Sequence, residues 1–300
     1  MTSPASVFHV GAARIAGIFE TSFGLPAPRL FPDWDAEAGT DLAARLSRDS
    51  LDLSSGVVAL QTHLWVVEID GLTIVVDTGI GNGKARAFST LFDRLSNPVL
   101  ERLSAAGFDR HRVDYVFNTH LHVDHVGWNT MREHGRWVPV FPNATYVFAK
   151  SEREFFDTAS GAARRMVFDD SVLPLLDAGI VHEVSDDGEQ VLDGIRFLPT
   201  LGHSVGHMAI SIASQGEVAL FSGDVMHSPV QVYRPDWSSG FCLDPVQASV
   251  SRRRLLNLAL EAGTTVFPAH FPEGSAGIVV RNAEGLAWRY LASTPGASRK

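Results

Sequence analysis

The stretch Thr119-His120-Leu121-His122-Val123-Asp124-His125-Val126-Gly127 gathers four metal-type side chains within six residues, as His-x-His-x-Asp-His. On a helix, residues two apart lie on different faces, so His120 and His122 would diverge. On a strand, His120, His122 and Asp124 would share one face and His125 would turn to the other. The spacing therefore suits a tight loop that wraps its side chains around one or two cations. Val113-Asp114-Tyr115-Val116-Phe117-Asn118, just before it, is short, β-branched and aromatic, and predicts the strand that carries the loop. A polar turn that happens to be histidine-rich is the alternative.

Three further stretches weigh against that alternative. Thr200-Leu201-Gly202-His203-Ser204-Val205-Gly206-His207 joins two strand-like runs through a glycine-punctuated turn. Leu220-Phe221-Ser222-Gly223-Asp224 closes an apolar strand with a carboxylate, and Val266-Phe267-Pro268-Ala269-His270 closes another with an imidazole. One His or Asp at a strand end is ordinarily a cap or a hydrogen-bonding residue. Three of them, in a chain that already carries the first cluster, reverse that default.

Composition bounds the rest. With 45% hydrophobic and 20% charged residues, the 300-residue chain has an ordinary globular make-up. A net charge of −9 argues against a nucleic-acid partner, since such proteins carry a basic face. The basic run Arg252-Arg253-Arg254 is expected on the solvated face of a helix. Cys242 is the sole cysteine, which excludes an intrachain disulfide and a thiolate metal cluster. The N-terminus lacks a signal-peptide pattern and no run nears the ~18 apolar residues of a membrane span, so the expectation is a cytoplasmic protein with no membrane partner.

Along the chain, Val7–Val10 and Arg14–Phe19 predict paired edge strands. From Glu20 to Gly56 periodicity fails, while prolines alternate with Phe23, Leu25, Leu30, Phe31 and Trp34. Residues 20–56 are therefore expected to form a cap over the core or a homodimer contact, with one short helix in 41–50. Val57–Asp70 and Leu72–Asp77 predict a hairpin turning at Asp70-Gly71. The glycines of Gly79-Ile80-Gly81-Asn82-Gly83 match no phosphate-loop spacing. Helices are expected at 88–95 and 98–106, after a capping box at Ser151-x-x-Glu154, and over 245–262, with strands at 144–149, 180–184, 195–200, 208–213, 218–223 and 264–268. Strands then helices, twice over, predict one α/β domain spanning 1–300, a four-layer αββα sandwich with an N-terminal cap segment.

The five blocks together resemble the metallo-β-lactamase superfamily over roughly residues 57–272: Asp77 in Asp-Thr-Gly, the His120–His125 block, His207 in Gly-His-Ser-Val-Gly-His, Asp224 in Ser-Gly-Asp and His270 in Pro-Ala-His. The resemblance implies that His120, His122 and His207 bind one metal, that Asp124, His125 and His270 bind a second, and that Asp224 bridges them. It makes Asp77 a holder of the loop and His203 a supporting residue. Two divalent ions are implied, zinc first, with iron, manganese or cobalt as alternatives for so nitrogen-rich a set. Asp124 is then a catalytic candidate that manages the nucleophile's proton. So is His227, three residues after Asp224, where quorum-quenching lactonases of this fold carry Tyr and the methyl parathion hydrolase branch is closer to His; a packing histidine is its alternative. Apolar candidates for pocket walls are Phe23–Trp34, Trp128, Trp137, Tyr233, Trp237, Phe241 and Phe271. The implied activity is hydrolysis of a small, moderately hydrophobic lactone or carboxylic ester by a metal-bridging hydroxide. A phosphotriesterase and a mononuclear-iron persulfide dioxygenase are the alternatives.

Overall fold

The computed structural model describes residues 5–47, 49–272 and 274–295. They form two compact units, one from the described residues up to Thr21, Thr62–Asp186 and those from Ser293, the other from Ser22–Gln61 and Asp187–Ala292. Among the described residues no helix is long and apolar enough to cross a membrane.

The sheet of the first unit runs Val181–Val184, Thr145–Ala149, Tyr115–Phe117, Leu72–Val76, Val57–Ile69, Ala13–Pro26, Ser6–Val10. The first four of these strands pair in parallel. Most of their β-branched and aromatic residues are buried, with Thr73, Tyr115, Thr145 and Val181 half-buried, as expected of a largely covered parallel sheet. Asp70 and Gly71 both take positive φ, 49° and 81°, which is how a two-residue hairpin matches the strand twist. Because Leu72–Val76 and Tyr115–Phe117 are parallel neighbours, the loops that leave them, Asp77-Thr78-Gly79 and Asn118–His125, emerge at the same edge. There the two loops touch: a Cβ on Gly127 would fall 1.8 Å from the Ile80 carbonyl carbon, so only glycine fits.

Two local expectations fail in this unit, and one hairpin is additional to those expected. Residues 88–95 form turns, because side-chain and backbone bonds close the segment on itself: Arg86 N–H donates to Asp93 (2.6 Å) and Arg94 N–H to the Lys84 carbonyl (2.8 Å). Ser151 caps no helix; its hydroxyl donates to Asp186, and the helix Lys150–Phe155 starts straight from the strand at Ala149. The hairpin of Thr130–Glu133 with Arg136–Pro139 was not foreseen, since its strands are short and largely polar. The closed loop at 83–95 plants two cations inside the unit. Arg86 grips Asp170 with two bonds (2.7 and 2.8 Å), and Lys84 reaches Thr130 Oγ1 (2.7 Å), the Asp170 carbonyl (3.1 Å) and Asp170 Oδ1 (3.3 Å). Burial pulls the Lys84 amine down to about 8, against the opposing pull of Asp170.

The second unit holds a sheet ordered Glu189–Leu192, Ile195–Pro199, Met208–Ser214, Glu217–Gly223, Thr264–Pro268, Gly277–Asn282, Gly285–Tyr290. The last two strands lie beyond the strand expected to be final. Pro245–Ala259 is the crossover helix between the parallel strands Glu217–Gly223 and Thr264–Pro268, with Asp244 accepting from Gln247 N–H as its N-cap. Ile195–Pro199 is antiparallel to Met208–Ser214, which is antiparallel to Glu217–Gly223. Hence Thr200, Asp224 and Ala269 all leave the sheet at one edge, the edge where strand C-termini gather.

Residues 20–56 are built from short elements. Ala13–Pro26 is one strand, followed by short helices Ala27–Leu30 and Ala36–Ala43. Leu25, Leu30, Phe31, Leu42 and Leu51 then pack with Val230 and Trp237 as a cluster of the second unit. Missing periodicity reflects short, proline-broken elements, and the apolar residues found their burial inside the unit. Arg252 departs from its expected place. Expected in water, it is fully buried and donates to the carbonyls of Val225 (2.8 Å) and Pro235 (2.6 Å), while burial lowers its pKa to about 10. A buried guanidinium with neutral acceptors is costly; here it staples the segment after Asp224 to the crossover helix.

Candidate functional site

In the first unit, Asp77 organises the histidine loop through its acceptors. Its Oδ1 accepts the Thr119 N–H (2.8 Å); its Oδ2 accepts the Thr119 hydroxyl and the His125 Nδ1–H (each 2.8 Å). Since the one Thr119 hydroxyl proton goes to Asp77, Thr119 Oγ1 must accept from His120 Nδ1–H (3.1 Å). Both rings are thereby held as Nδ1–H tautomers with their basic pair on Nε2, the arrangement that metal-binding imidazoles use. The rings crowd: the His120 centroid lies 4.5 Å from that of His122 and 4.1 Å from that of His125. The loop backbone is pinned as well, with the His125 carbonyl accepting from Thr78 N–H (2.7 Å) and the Asn118 amide (3.0 Å), and Leu121 N–H donating to Glu152 (2.9 Å). Asp124 is half-buried, its Oδ1 4.0 Å from His125 Nε2.

Glu20 went unnoticed in the sequence because it sits in an aperiodic stretch. Its buried carboxylate accepts from Ile80 N–H (2.7 Å), Gly81 N–H (3.0 Å), Trp128 Nε1–H (2.8 Å) and Thr62 (3.1 Å). Burial raises its pKa while those four donors pull it back. Trp128 is thus a core residue tied to a loop brace and not a pocket wall. Glu20→Gln sets an amide NH2 against an N–H donor, and is expected to lower stability by about 1–3 kcal/mol in a urea titration, with the slope unchanged.

The second unit surrounds Asp224 with imidazoles. His203 Nε2 and His227 Nε2 each lie 3.2 Å from Oδ2, and His270 Nε2 lies 3.0 Å from Oδ1. His207, the expected ligand, does not join them. Its Nδ1 faces Thr200 Oγ1 (2.8 Å) and its Nε2 accepts the Asp224 backbone N–H (2.9 Å), so both ring nitrogens are engaged in orienting the loop. The turn instead directs His203 at the carboxylate, with Cys242 Sγ 3.7 Å from its Nδ1 and Leu243 N–H donating to its carbonyl (3.0 Å). The Cys242 thiol is pushed up by burial, so it stays protonated beside that ring. His227 is buried, held by its N–H to Gln231 (2.6 Å), with Ser239 Oγ 3.4 Å from its Nε2. Of the other expected pocket walls, Trp237 and Phe271 are core, and Phe241 is exposed with its ring 6.4 Å from that of His227.

These donors fit a divalent cation on chemical grounds. His270 Nδ1 faces the Gln61 carbonyl at 2.9 Å, so the ring proton sits there and Nε2 presents a lone pair to Asp224 Oδ1. Two lone pairs 3.0 Å apart repel in a buried site unless a cation satisfies both. Donors about 2.0–2.2 Å from one ion stand roughly that far from each other. Each unit thus offers a buried imidazole set with at least one carboxylate, the donor chemistry that suits zinc and its first-row neighbours.

The chain belongs to the metallo-beta-lactamase superfamily, whose family model matches residues 57–270. It is 30% identical over 181 residues to the N-acyl homoserine lactonase AttM of Rhizobium johnstonii, an alignment covering 58% of this chain and 64% of that protein. The chain therefore spans somewhat under two thirds of this relative. Among solved structures, AidC, a dizinc quorum-quenching lactonase in complex with a product N-hexanoyl-L-homoserine, superposes with a TM-score of 0.78 at 21% identity, over 98% of this chain and 99% of that one. AbOPH, a hydrolase in the beta-lactamase superfamily, gives 0.77 at 23% identity, over 96% and 97%. At these identities the two likenesses show the fold, the metallo-β-lactamase α/β sandwich class expected from the sequence.

Proposed function

We propose that this chain is a dinuclear metal-dependent hydrolase that opens a small, moderately hydrophobic lactone, with N-acyl homoserine lactones as the leading substrate class. The observation that carries the reading is the pair of donor sets whose tautomers the protein itself fixes, through Asp77 and Thr119 in one unit and through Gln61 in the other. The lactonase relatives support the substrate class. The proposed ligands are His120, His122, Asp124, His125, His203, Asp224 and His270, with His203 in the place first assigned to His207. Two divalent ions would supply Lewis-acid polarisation of a carbonyl and a water acidified to near neutrality. Asp124 accepts a proton at its carboxylate and returns it to the leaving alkoxide. His227 Nε2 carries a single N–H, which orients the Asp224 carboxylate in the free protein and turns to the ester oxygen when substrate is bound.

The test is the purified protein with zinc, manganese or iron restored after chelation, assayed on a panel of N-acyl homoserine lactones, aryl esters and phosphotriesters. Lactone opening lost on chelation and regained with two ions per chain is the expected result. Hydrolysis indifferent to chelator and to Asp124→Ala overturns the reading. Phosphotriester turnover exceeding that of lactones would move the assignment to the second substrate class, and one iron per chain with oxygen uptake would move it to the dioxygenase.

A further inference from the structure

A second cleft lies in the second unit, with a volume of about 400 Å³. Four separate pieces of chain enclose it: the residues after helix Ala36–Ala43, helix Val230–Tyr233 with its continuation, helix Pro245–Ala259, and the hairpin Gly277–Asn282 with Gly285–Tyr290. Each contributes one arginine, namely Arg45, Arg234, Arg253 and Arg281, against Glu284 as the one lining carboxylate. In a chain of net charge −9, so basic a lining is a local reversal.

Three of the arginines are braced by ion pairs. Asp41 accepts from Arg45 (3.1 Å) and from Arg234 (3.2 Å), Glu284 pairs with Arg45 (3.0 Å) and Asp236 with Arg253 (2.9 Å). Among the described residues Arg281 enters no ion pair, and four guanidiniums meet three carboxylates. Each guanidinium carries five N–H donors, of which these ion pairs use three on Arg45, one each on Arg234 and Arg253, and none on Arg281. Three paired but unsaturated forks and the unpaired Arg281 converge from four pieces of chain on one cleft, which suits an anion with several oxygens that the planar fork matches bidentately. Val232 and Leu256 add an apolar floor, and the volume falls in the range of small-molecule sites.

We propose that this cleft binds a small molecule bearing a phosphate group on an organic body of nucleotide size. A dianion fits the surplus of donors better than a single carboxylate, and the apolar floor gives the body a place that inorganic phosphate would leave unused. The inference is independent of the lactonase reading, since none of these residues belongs to the proposed ligand set.

The experiment is calorimetric titration of AMP and of inorganic phosphate into the metal-loaded full chain, repeated with the Arg253→Gln/Arg281→Gln double variant and at raised salt. AMP is expected to bind more tightly than phosphate, to weaken with salt, and to lose at least about tenfold in affinity in the double variant, while the variant's circular-dichroism melt stays at the wild-type temperature. Equal binding of AMP by wild type and variant would place the ligand elsewhere on the chain and overturn the proposal. So would equal affinity for AMP and phosphate, or no heat from either at about 1 mM.

Discussion

His203→Ala is expected to empty one metal position and lower hydrolysis by about 10³-fold or more, whereas His207→Ala keeps near-wild-type metal content. The first loss follows from removing an imidazole that lies 3.2 Å from the Asp224 carboxylate. Metal polarisation is worth several kcal/mol of barrier, and each ~1.4 kcal/mol is a factor of ten in rate. His207 spends its ring on Thr200 and on the Asp224 backbone, so its loss disturbs the aim of a ligand without deleting one. About 10–100-fold in rate is the usual cost of such a supporting residue. Metal stoichiometry after dialysis, read beside kcat for both variants, decides between them. A metal-replete His203→Ala protein and a metal-poor His207→Ala protein would restore the original assignment.

The largest stability effect is expected at Asp170. Asp170→Ala leaves Arg86 and Lys84 buried without their shared carboxylate, and breaking such a pair costs about 3–5 kcal/mol. Adding Lys84→Met to that variant should recover part of the loss by removing one stranded cation. Lys84 also carries a pH signature with a definite sign. Its folded pKa of about 8 lies below the ordinary 10.5, so between those values the unfolded chain holds more protons than the folded one. Stability contributed by this group therefore rises as pH climbs from about 8 toward 10.5, by up to roughly 3 kcal/mol. Chemical denaturation of wild type and Lys84→Met across that interval should diverge accordingly; parallel curves would mean that the amine is not desolvated.

The donor loops were legible because their chemistry is concentrated in few residues and their placement follows from strand polarity. Asp77, Asp224 and His270 each stand where an apolar run stops, and a strand that stops at a sheet edge delivers its next side chain there. What escaped were residues whose role depends on a partner far along the chain. Glu20 and Glu152 look like surface acids until the loops they brace are folded beside them. Arg252 reads as one of three solvated arginines, yet three successive helix positions face three directions, and only one of them turns inward. The choice between His203 and His207 was beyond spacing alone, because a turn that bends between them can present either ring. The distinguishing contact is the backbone N–H of Asp224, which donates to His207 Nε2 and leaves His203 facing the carboxylate.

The hydrogen-bond chain from Asp77 through Thr119 to His120, and from Asp77 to His125, bears on proton traffic. A histidine that relays protons must accept at one nitrogen and release at the other. Here the Nδ1 protons of His120 and His125 are both committed to the Asp77 carboxylate, the first through the Thr119 hydroxyl and the second directly. These two rings are insulated spectators of any acid–base step. Within that loop, proton transfer is thereby left to the Asp124 carboxylate, while His120 and His125 keep their protons.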